Sequence, residues 1–377
     1  MSKLGEQATI IMGQSPPGES YNKEGKGAPL LNGPTEFGPL YPIEKQWTTS
    51  PTKLCESGDV LFCVRGATAG RLNLADKKYC LGRGLAAIRG KPGKFDGGFL
   101  RHVLTNGYAT FQARGVGSTF INISGEELVN FEVPSLPLTE QRRIAEVLDR
   151  AEALRAKRRT ALAQLDSLTQ SLFLDLFGDH TTILKQWPTK KLGQLLDFLT
   201  SGSRGWAEYY AESGDLFLRI QNVRRDELLL DDIAYVNAPD TAEAKRTRVQ
   251  PGDVLLSITA DLGRTAVVPE GIGTAFINQH LSILRTRALV PRFLSAYFAS
   301  PVGQRQVVGR NRQGVKAGLN FDDIRSFIVP LPPIELQREF ACRVRAVEKL
   351  KTAQRASLAE LDALFASLQH RAFRGEL

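Results

Sequence analysis

The sequence is poor in the residues that build metal sites and disulfide frameworks, with four cysteines and four histidines in 377 residues. Cys55, Cys63, Cys80 and Cys342 show no CxxC spacing and no nearby histidine pair. That sets aside a zinc ribbon or a stapled secreted fold and fits a reduced, cytoplasmic protein. No run approaches ~18 apolar residues, and MSKLGEQATI lacks a charged segment followed by an apolar core, so neither a membrane span nor a secretory leader is expected. Catalytic motifs are missing too. There is no GxxxxGK[ST] phosphate loop. The Asn-Pro-Pro-aromatic signature of amino-methylating DNA methyltransferases is absent, and Val236-Asn237-Ala238-Pro239 does not supply it. Pro239-Asp240 and Glu243-Ala244-Lys245 look superficially like a metal-nuclease set, but acids so close in sequence do not come from different parts of a sheet to share a metal. His102, His180, His280 and His370 are scattered, and no Ser-His-acid set can be drawn. The chain is expected to do no covalent chemistry, and no catalytic or metal-ligating residue is assigned.

What the sequence does contain is an excess of positive charge and a repeat. A net charge of +9 suits a polyanionic partner, and a hydrophobic content of 42% is ample for real cores. Residues 161–168 read ALAQLDSL and residues 357–364 read SLAELDAL, 196 positions later. The register extends both ways. Ile144, Leu148, Ala151, Leu154, Leu162, Leu165, Leu168, Leu172 and Leu176 fall opposite Phe340, Val344, Val347, Leu350, Leu358, Leu361, Leu364, Leu368 and Ala372. Steps of three and four mark the apolar stripe of a helix. With no interior Pro or Gly, each copy predicts a rod of roughly 55 Å at about 1.5 Å per residue. Such a rod needs a partner for its stripe, and the other copy, separated by a domain-sized insert, predicts an antiparallel two-helix coiled coil. The interface residues expected are Ile144, Leu148, Leu162, Leu165, Leu168 and Leu172 against Val344, Val347, Leu358, Leu361, Leu364 and Leu368.

The globular parts repeat as well. Lys3-Leu4-Gly5 is answered by Lys191-Leu192-Gly193, Gly58-Asp59-Val60-Leu61 by Gly252-Asp253-Val254-Leu255, Gly70-Arg71 by Gly263-Arg264, and Phe99-Leu100 by Phe293-Leu294. Val133-Pro134 ahead of Gln141 is answered by Val329-Pro330 ahead of Gln337. The prolines force an extended entry into each rod, with Thr139 as a plausible first cap. The expected class is α+β: two globular domains of mixed strands and helices, residues 1–138 and 179–332, each followed by a long helix, residues 139–178 and 333–377, with pseudo-two-fold symmetry. The first half shows no clear counterpart of 218–223, and has Gly82-Arg83-Gly84 where the second has Asn278-Gln279-His280.

Basic and amide side chains near the turns are the candidates for nucleic acid, since Arg reads guanine bidentately and Gln or Asn reads adenine. In the first half these are Arg65, Thr68, Arg71, Arg83, Arg114, Ser118 and Thr119. In the second they are Arg204, Trp206, Arg219, Gln221, Asn222, Arg264, Gln279, His280, Arg312, Gln313 and Lys316. Any one of them could instead be an ordinary surface residue, and Trp206 a core residue.

A basic, two-fold repeat of a variable globular domain followed by a long helix resembles the specificity subunit of type I restriction and modification enzymes. The motifs that carry the resemblance are Gly58-Asp59-Val60-Leu61 and its repeat, Phe217-Leu218-Arg219-Ile220-Gln221-Asn222-Val223, the two proline entries, and the ending Ala372-Phe373-Arg374-Gly375-Glu376-Leu377. The resemblance implies that each globular part is a target recognition domain reading one half of a bipartite double-stranded DNA sequence. It implies that the helices set the gap and dock two modification (methyltransferase) subunits, and it allows restriction subunits as well. S-adenosylmethionine, ATP and Mg2+ would then sit on partner chains and no cofactor on this one. A coiled-coil scaffold whose basic domains bind protein is the other reading of the same rods.

Overall fold

The computed structural model describes residues 1–113, 121–179, 181–310, 318–374 and 376. The chain divides into two compact units, residues 1–159 with 356–377, and residues 160–355. Each holds one strand-rich domain and one end of each of two long helices, Leu138–Phe177 and Ile334–Arg374. Among the described residues no helix is long and apolar enough to cross a membrane.

The first unit is built on an antiparallel sheet ordered Ala8–Met12, Leu85–Gly90, Val60–Cys63, Leu72–Leu74. Every residue of Val60–Cys63 is buried, because this strand has a neighbour on either side and apolar packing on both faces. Gly58 turns the chain into that strand at φ +89°, a conformation open to glycine at little cost. Asp59, 1% exposed, then accepts the Glu56 N–H at 2.8 Å and a two-pronged bond from Arg89 at 2.7 and 2.9 Å. A smaller sheet runs Tyr21–Asn22, Trp47–Thr48, Ala28–Leu31, Cys80–Leu81, its last pair parallel. Helix Gly97–Asn106, capped by the Asp96 carboxylate, presses Phe99, Leu100, Val103 and Leu104 into the core, where Ile144, Leu148 and Ala151 of the first long helix meet Phe365 and Ala372 of the second.

The second unit repeats this arrangement strand for strand: Phe198–Ser201, Leu281–Arg285, Val254–Ser257, Thr265–Val267 in one sheet and Tyr210–Ala211, Ala234–Val236, Asp215–Leu218, Ala275–Ile277 in the other. Val254 pairs with Val267 as Val60 pairs with Leu74. The Gly-Asp motif recurs with its physics intact: Gly252 at φ +86°, and Asp253 accepting from Gln250 N–H at 2.7 Å and from Arg285 at 2.7 and 2.8 Å. Within this unit Asp166 pairs with Lys351 at 2.7 Å while Phe173 stacks edge-on against Phe340, so one helix advances as the other recedes. The two segments are antiparallel.

Two features depart from the sequence expectation. Leu168 and Leu364, placed on the inward stripe, are 38% and 50% exposed, while Phe365, Phe173 and Phe177 are buried. The inward face must serve a domain core as well as the opposing helix, and bulky aromatics that reach both take the seam. Ile144, Leu148, Val344 and Val347 are buried as expected, whereas Leu162, Leu165, Leu172, Leu358, Leu361 and Leu368 are half-buried. Second, the first half does have a counterpart of residues 218–223. Ala28–Leu31 lies parallel to Cys80–Leu81 as Asp215–Leu218 lies parallel to Ala275–Ile277, and single turns follow at Pro34–Glu36 and Ile220–Asn222. The polypeptide path is shared although the side chains are not.

In the second unit the domain is also clamped to the long helix by a loop. Asp226, at φ +63°, has a side chain 9% exposed and an Oδ1 3.7 Å from Arg292, which in turn pairs with Glu348. Next to it Glu227 pairs with Arg355 at 2.8 Å. Burial pushes the Asp226 carboxyl up from 3.8 to about 6, outweighing the nearby Arg292.

Three stability predictions result. Asp253→Ala leaves Arg285 with no carboxylate, but the arginine side chain is 27% exposed and can take up water, so a loss of about 2–3 kcal/mol is expected by urea denaturation. Asp261→Ala, an exposed i,i+3 pair, should change stability by no more than about 0.5 kcal/mol. For Asp226 the folded state holds its proton more tightly than the unfolded chain, so the stabilising neutral form is lost as pH rises from about 4 through about 6. Asp226→Asn should therefore match the parent at pH 4 and exceed it by about 2–3 kcal/mol at pH 7.5, a shift of two pKa units being worth about 2.7 kcal/mol. Equal pH dependence in both proteins would refute this.

Candidate nucleic-acid interface

One end of each main sheet gathers the candidate side chains. In the first unit the central strand runs on to Val64, whose N–H donates to Gly84 O at 2.9 Å and whose carbonyl accepts from Ile123 N–H at 2.8 Å. Arg65 bridges to Asn122 and donates from Nε to its Oδ1 at 3.0 Å. Ser15 Oγ receives the Arg83 N–H at 3.4 Å. Loops that are distant in sequence thus bring Ser15, Arg65, Arg83 and Asn122 to one edge, with both arginines exposed. Arg114, Ser118 and Thr119 lie outside the described residues.

The second unit assembles the same edge from different side chains. Ile258 N–H donates to His280 O at 2.9 Å, Thr259 bridges to Gly318, and Ser203 bridges to Asn278. Thr259 Oγ1 meets His280 Nδ1 at 2.5 Å, and Gln279 Nε2 lies 3.2 Å from His280 Nε2. Arg204 is exposed beside this group. The turn carries Ala260 at φ +63° where the first unit has Gly66 at φ +80°, and a side chain in that region costs on the order of 1 kcal/mol. Arg312, Gln313 and Lys316 lie outside the described residues.

Other residues singled out in the sequence are placed elsewhere. Trp206, 6% exposed, is a core residue: its ring lies 5.0 Å from Phe217 and 5.2 Å from Phe276, and Nε1 donates to Ser203 Oγ at 3.1 Å. Asn222, 1% exposed, spends its amide on the backbone of Arg219, Leu229 and Asp232. Arg219 and Gln221 both engage Asp232. Arg264 is held by Asp261 and donates to the carbonyls of Ile220 and Val223. These contacts buttress the loop from within. Thr68 and Arg71 are exposed, beside the edge strand Leu72–Leu74.

One cluster escaped the sequence reading. His102 Nε2 lies 2.7 Å from Asp149 Oδ1, and with Glu152 the three have the composition of a cation site. Arg101 already fills it, at 2.5 Å from Asp149 and 2.8 Å from Glu152. Burial and the neighbouring Arg101 depress the His102 pKa, which keeps the imidazole neutral at the centre of an ion-pair network. The only sequence signal was that Asp149 and Glu152 share a helix face three residues apart.

Comparison with known proteins gives a consistent result. The type I restriction modification DNA specificity domain matches residues 1–165 and again 185–362. A protein described as the MjaX specificity subunit of a type I restriction enzyme, from Methanocaldococcus jannaschii, is 38% identical over 163 residues, 43% of this chain and 38% of that one. The type I restriction enzyme EcoBI specificity subunit of Escherichia coli is 25% identical over 318 residues, 75% of this chain and 66% of its own. The chain thus spans 38% and 66% of the lengths of these two relatives. Its fold is shared with the crystal structure of the S subunit of a type I restriction-modification system from M. genitalium, with a TM-score of 0.65, 17% identity, and coverage of 98% of this chain and 95% of that one. Matched twice, once in each half, the chain belongs to the type I restriction modification DNA specificity domain family.

Proposed function

We propose that this chain is the DNA-recognition subunit of a type I restriction-modification complex, carrying no chemistry of its own. The observation that supports this best is the duplication itself: two domains with the same strand order and register present different side chains at the same sheet edge. Two reading heads of one architecture, in one chain, can take two unlike half-sites in the way a dimer takes two like ones. Arg65 and Arg83 in one head, and Arg204, Gln279 and His280 in the other, are the described residues assigned to DNA, and Arg114, Ser118, Thr119, Arg312, Gln313 and Lys316 are assigned to it from the sequence alone. Arg219, Gln221, Asn222, Arg264 and Trp206 then hold the loops of the heads in shape. The net charge of +9 favours a polyanion, with binding that weakens steeply as salt rises.

Residues 139–178 and 333–377 are assigned as the spacer that sets the gap between half-sites and docks two modification subunits. Equivalent leucines on the two helices face solvent, Leu154 with Leu350 at 50% and 53% and Leu168 with Leu364 at 38% and 50%. In the second unit a groove of about 470 Å3, lined by Ala161, Leu165, Leu168 and Leu350, lies between the helices. Apolar side chains at repeated, exposed positions suit a partner helix. S-adenosylmethionine, ATP and Mg2+ are placed on those partners and on any restriction subunits.

Exchange of residues 181–332 for those of a relative tests the reading. In the complex with its modification subunits, the variant should methylate a site changed in one half only, as mapped by sequencing of modified bases. A change in both halves, or in neither, would remove the assignment of one head to each half-site. A second prediction concerns the spacer: inserting about four residues near Thr160, about one helical turn, should lengthen the unread gap and leave both half-sites as they were. New half-sites at an unchanged gap would show that the helices are no ruler.

A further inference from the structure

The two units differ sharply at one place where their backbones agree. In the second unit the turn after Ile220–Asn222 is closed by Arg224 N–H donating to Glu227 O at 2.8 Å and by a Val223–Leu228 bridge. In the first, the turn after Pro34–Glu36 is closed in the same way, by Gly38 N–H to Tyr41 O at 3.1 Å and a Phe37–Pro42 bridge. The second-unit turn plugs a cleft between the sheet edge and the long helix. Its Arg224 carbonyl takes the edge N–H of Thr265 at 3.0 Å, Arg264 donates to the carbonyls of Ile220 and Val223, and Asp226 reaches Arg292.

In the first unit the same cleft is open. The turn there is Gly38-Pro39-Leu40-Tyr41, without a charge, and it sits one pleat further along the edge, its Leu40 carbonyl accepting from Leu74 N–H at 3.0 Å. What remains is a pocket of about 360 Å3 whose lining includes Leu40, Arg71, Leu72, Arg101, Tyr108 and Glu152. These match the groups that hold the plug in the second unit. Arg71 stands where Arg264 stands, and among the described residues it has no ion pair. Leu72 stands where Thr265 stands, and among the described residues its N–H has no acceptor. Arg101, like Arg292, projects from the helix beside the edge strand and reaches the repeat-equivalent glutamate, Glu152 for Glu348, but its second carboxylate comes from Asp149 of the long helix, which leaves Arg71 as the arginine with none. Asn73, 6% exposed and also lining the pocket, keeps a buried Oδ1 without a partner.

We propose that this pocket is a docking socket for a segment of another polypeptide chain, one that presents a carboxylate next to an apolar side chain. The second unit shows the main-chain chemistry of an occupant, a backbone carbonyl for the edge N–H and acceptors for the first arginine, and Arg71, without an ion pair among the described residues, calls for a carboxylate. The rim favours protein over nucleic acid. Leu40 and Tyr108 are 44% and 43% exposed in its lining, beside Pro39, an apolar margin that a phosphate backbone would leave wet. An incoming segment would add a main-chain bond at Leu72, next to the one Leu40 already makes to Leu74, the mode in which main-chain bonds give affinity and side-chain pockets give selectivity. The inference stands apart from the DNA reading and survives or fails separately.

The test uses the full chain and a fluorescein-labelled synthetic peptide with the sequence of residues 220–230, IQNVRRDELLL, which is the second unit's own plug. Anisotropy should show saturable binding, at least about fivefold weaker for Arg71→Glu and for a peptide carrying Asn in place of the aspartate, that factor corresponding to one charge-assisted contact. Hydrogen exchange should slow at the Leu72 amide when peptide is added. Arg71 is exposed and unpaired, so its replacement should leave the melting temperature unchanged, and Thr105→Trp, which fills the pocket from a different wall, should block binding as well. No saturation, binding indifferent to both substitutions, or displacement of the peptide by a short DNA duplex would each overturn the proposal.

Discussion

A buried side-chain amide at the first turn of each long helix ties that helix to the domain preceding it. Gln141, 1% exposed, accepts the Asp96 N–H at 2.8 Å and donates to Lys94 O at 2.9 Å and Leu136 O at 2.8 Å. Gln337, 2% exposed, accepts the Val290 N–H at 3.0 Å and donates to Pro332 O at 2.9 Å. Each amide thus joins three pieces of chain: the proline entry, the start of the domain's buried helix, and the long helix. A buried amide left short of partners costs roughly 1–3 kcal/mol, so the joint holds one geometry and resists others. A domain locked at this root keeps one orientation on the stretch of long helix that it packs against.

This joint explains which parts of the repeat could be read from sequence. Gln141 and Gln337, the paired prolines and the Gly-Asp motif recur because each solves a backbone problem with one acceptable side chain. Glycine takes φ near +90° at the strand entry, and aspartate takes up both a backbone N–H and a two-pronged arginine from the adjacent strand. The helices were legible for a different reason, since a period of three and four over some forty residues has no other reading. Their stripe was placed one residue off at Leu364, because periodicity counts apolar positions without weighing a phenylalanine at the next one, and Phe365 carries Arg155 over its ring at 4.3 Å.

The candidate side chains were less legible. Arg65, Arg83, Gln279 and His280 stand out in sequence because they lie in short loops next to recognisable strands, and they lie at one end of each main sheet. Trp206, Asn222, Arg219 and Arg264 look the same in sequence, yet the fold spends them on its own loops. A polar side chain near a turn can face a ligand or hold the turn shut, and the difference lies in partners such as Asp232 and Phe217, whose proximity comes from sheet pairing across the domain. The Arg101, His102, Asp149 and Glu152 network was hidden for the same reason, since it joins residues some fifty positions apart.

Duplication followed by divergence gives the two halves different kinds of freedom. Strand order, the Gly-Asp turn, the glutamine joint and the closing hydrogen bond of the turn after the short helix are common to both, so none of them can distinguish one half from the other. The side chains hung on that turn can. In one half Arg225-Asp226-Glu227 binds the domain down onto its spacer through Arg292, Glu348 and Arg355. In the other, Pro39-Leu40-Tyr41 makes no such bond, and the sheet edge beneath it keeps an N–H to offer. The second half fills its cleft and carries there a buried aspartate at φ +63°. In the first half Arg101 and His102 tie the domain to the long helix through Asp149 and Glu152, and the unfilled cleft beside them is lined by the edge strand and the exposed Tyr108. Two halves with one strand order are therefore unlike at this turn, filled in the second and open in the first.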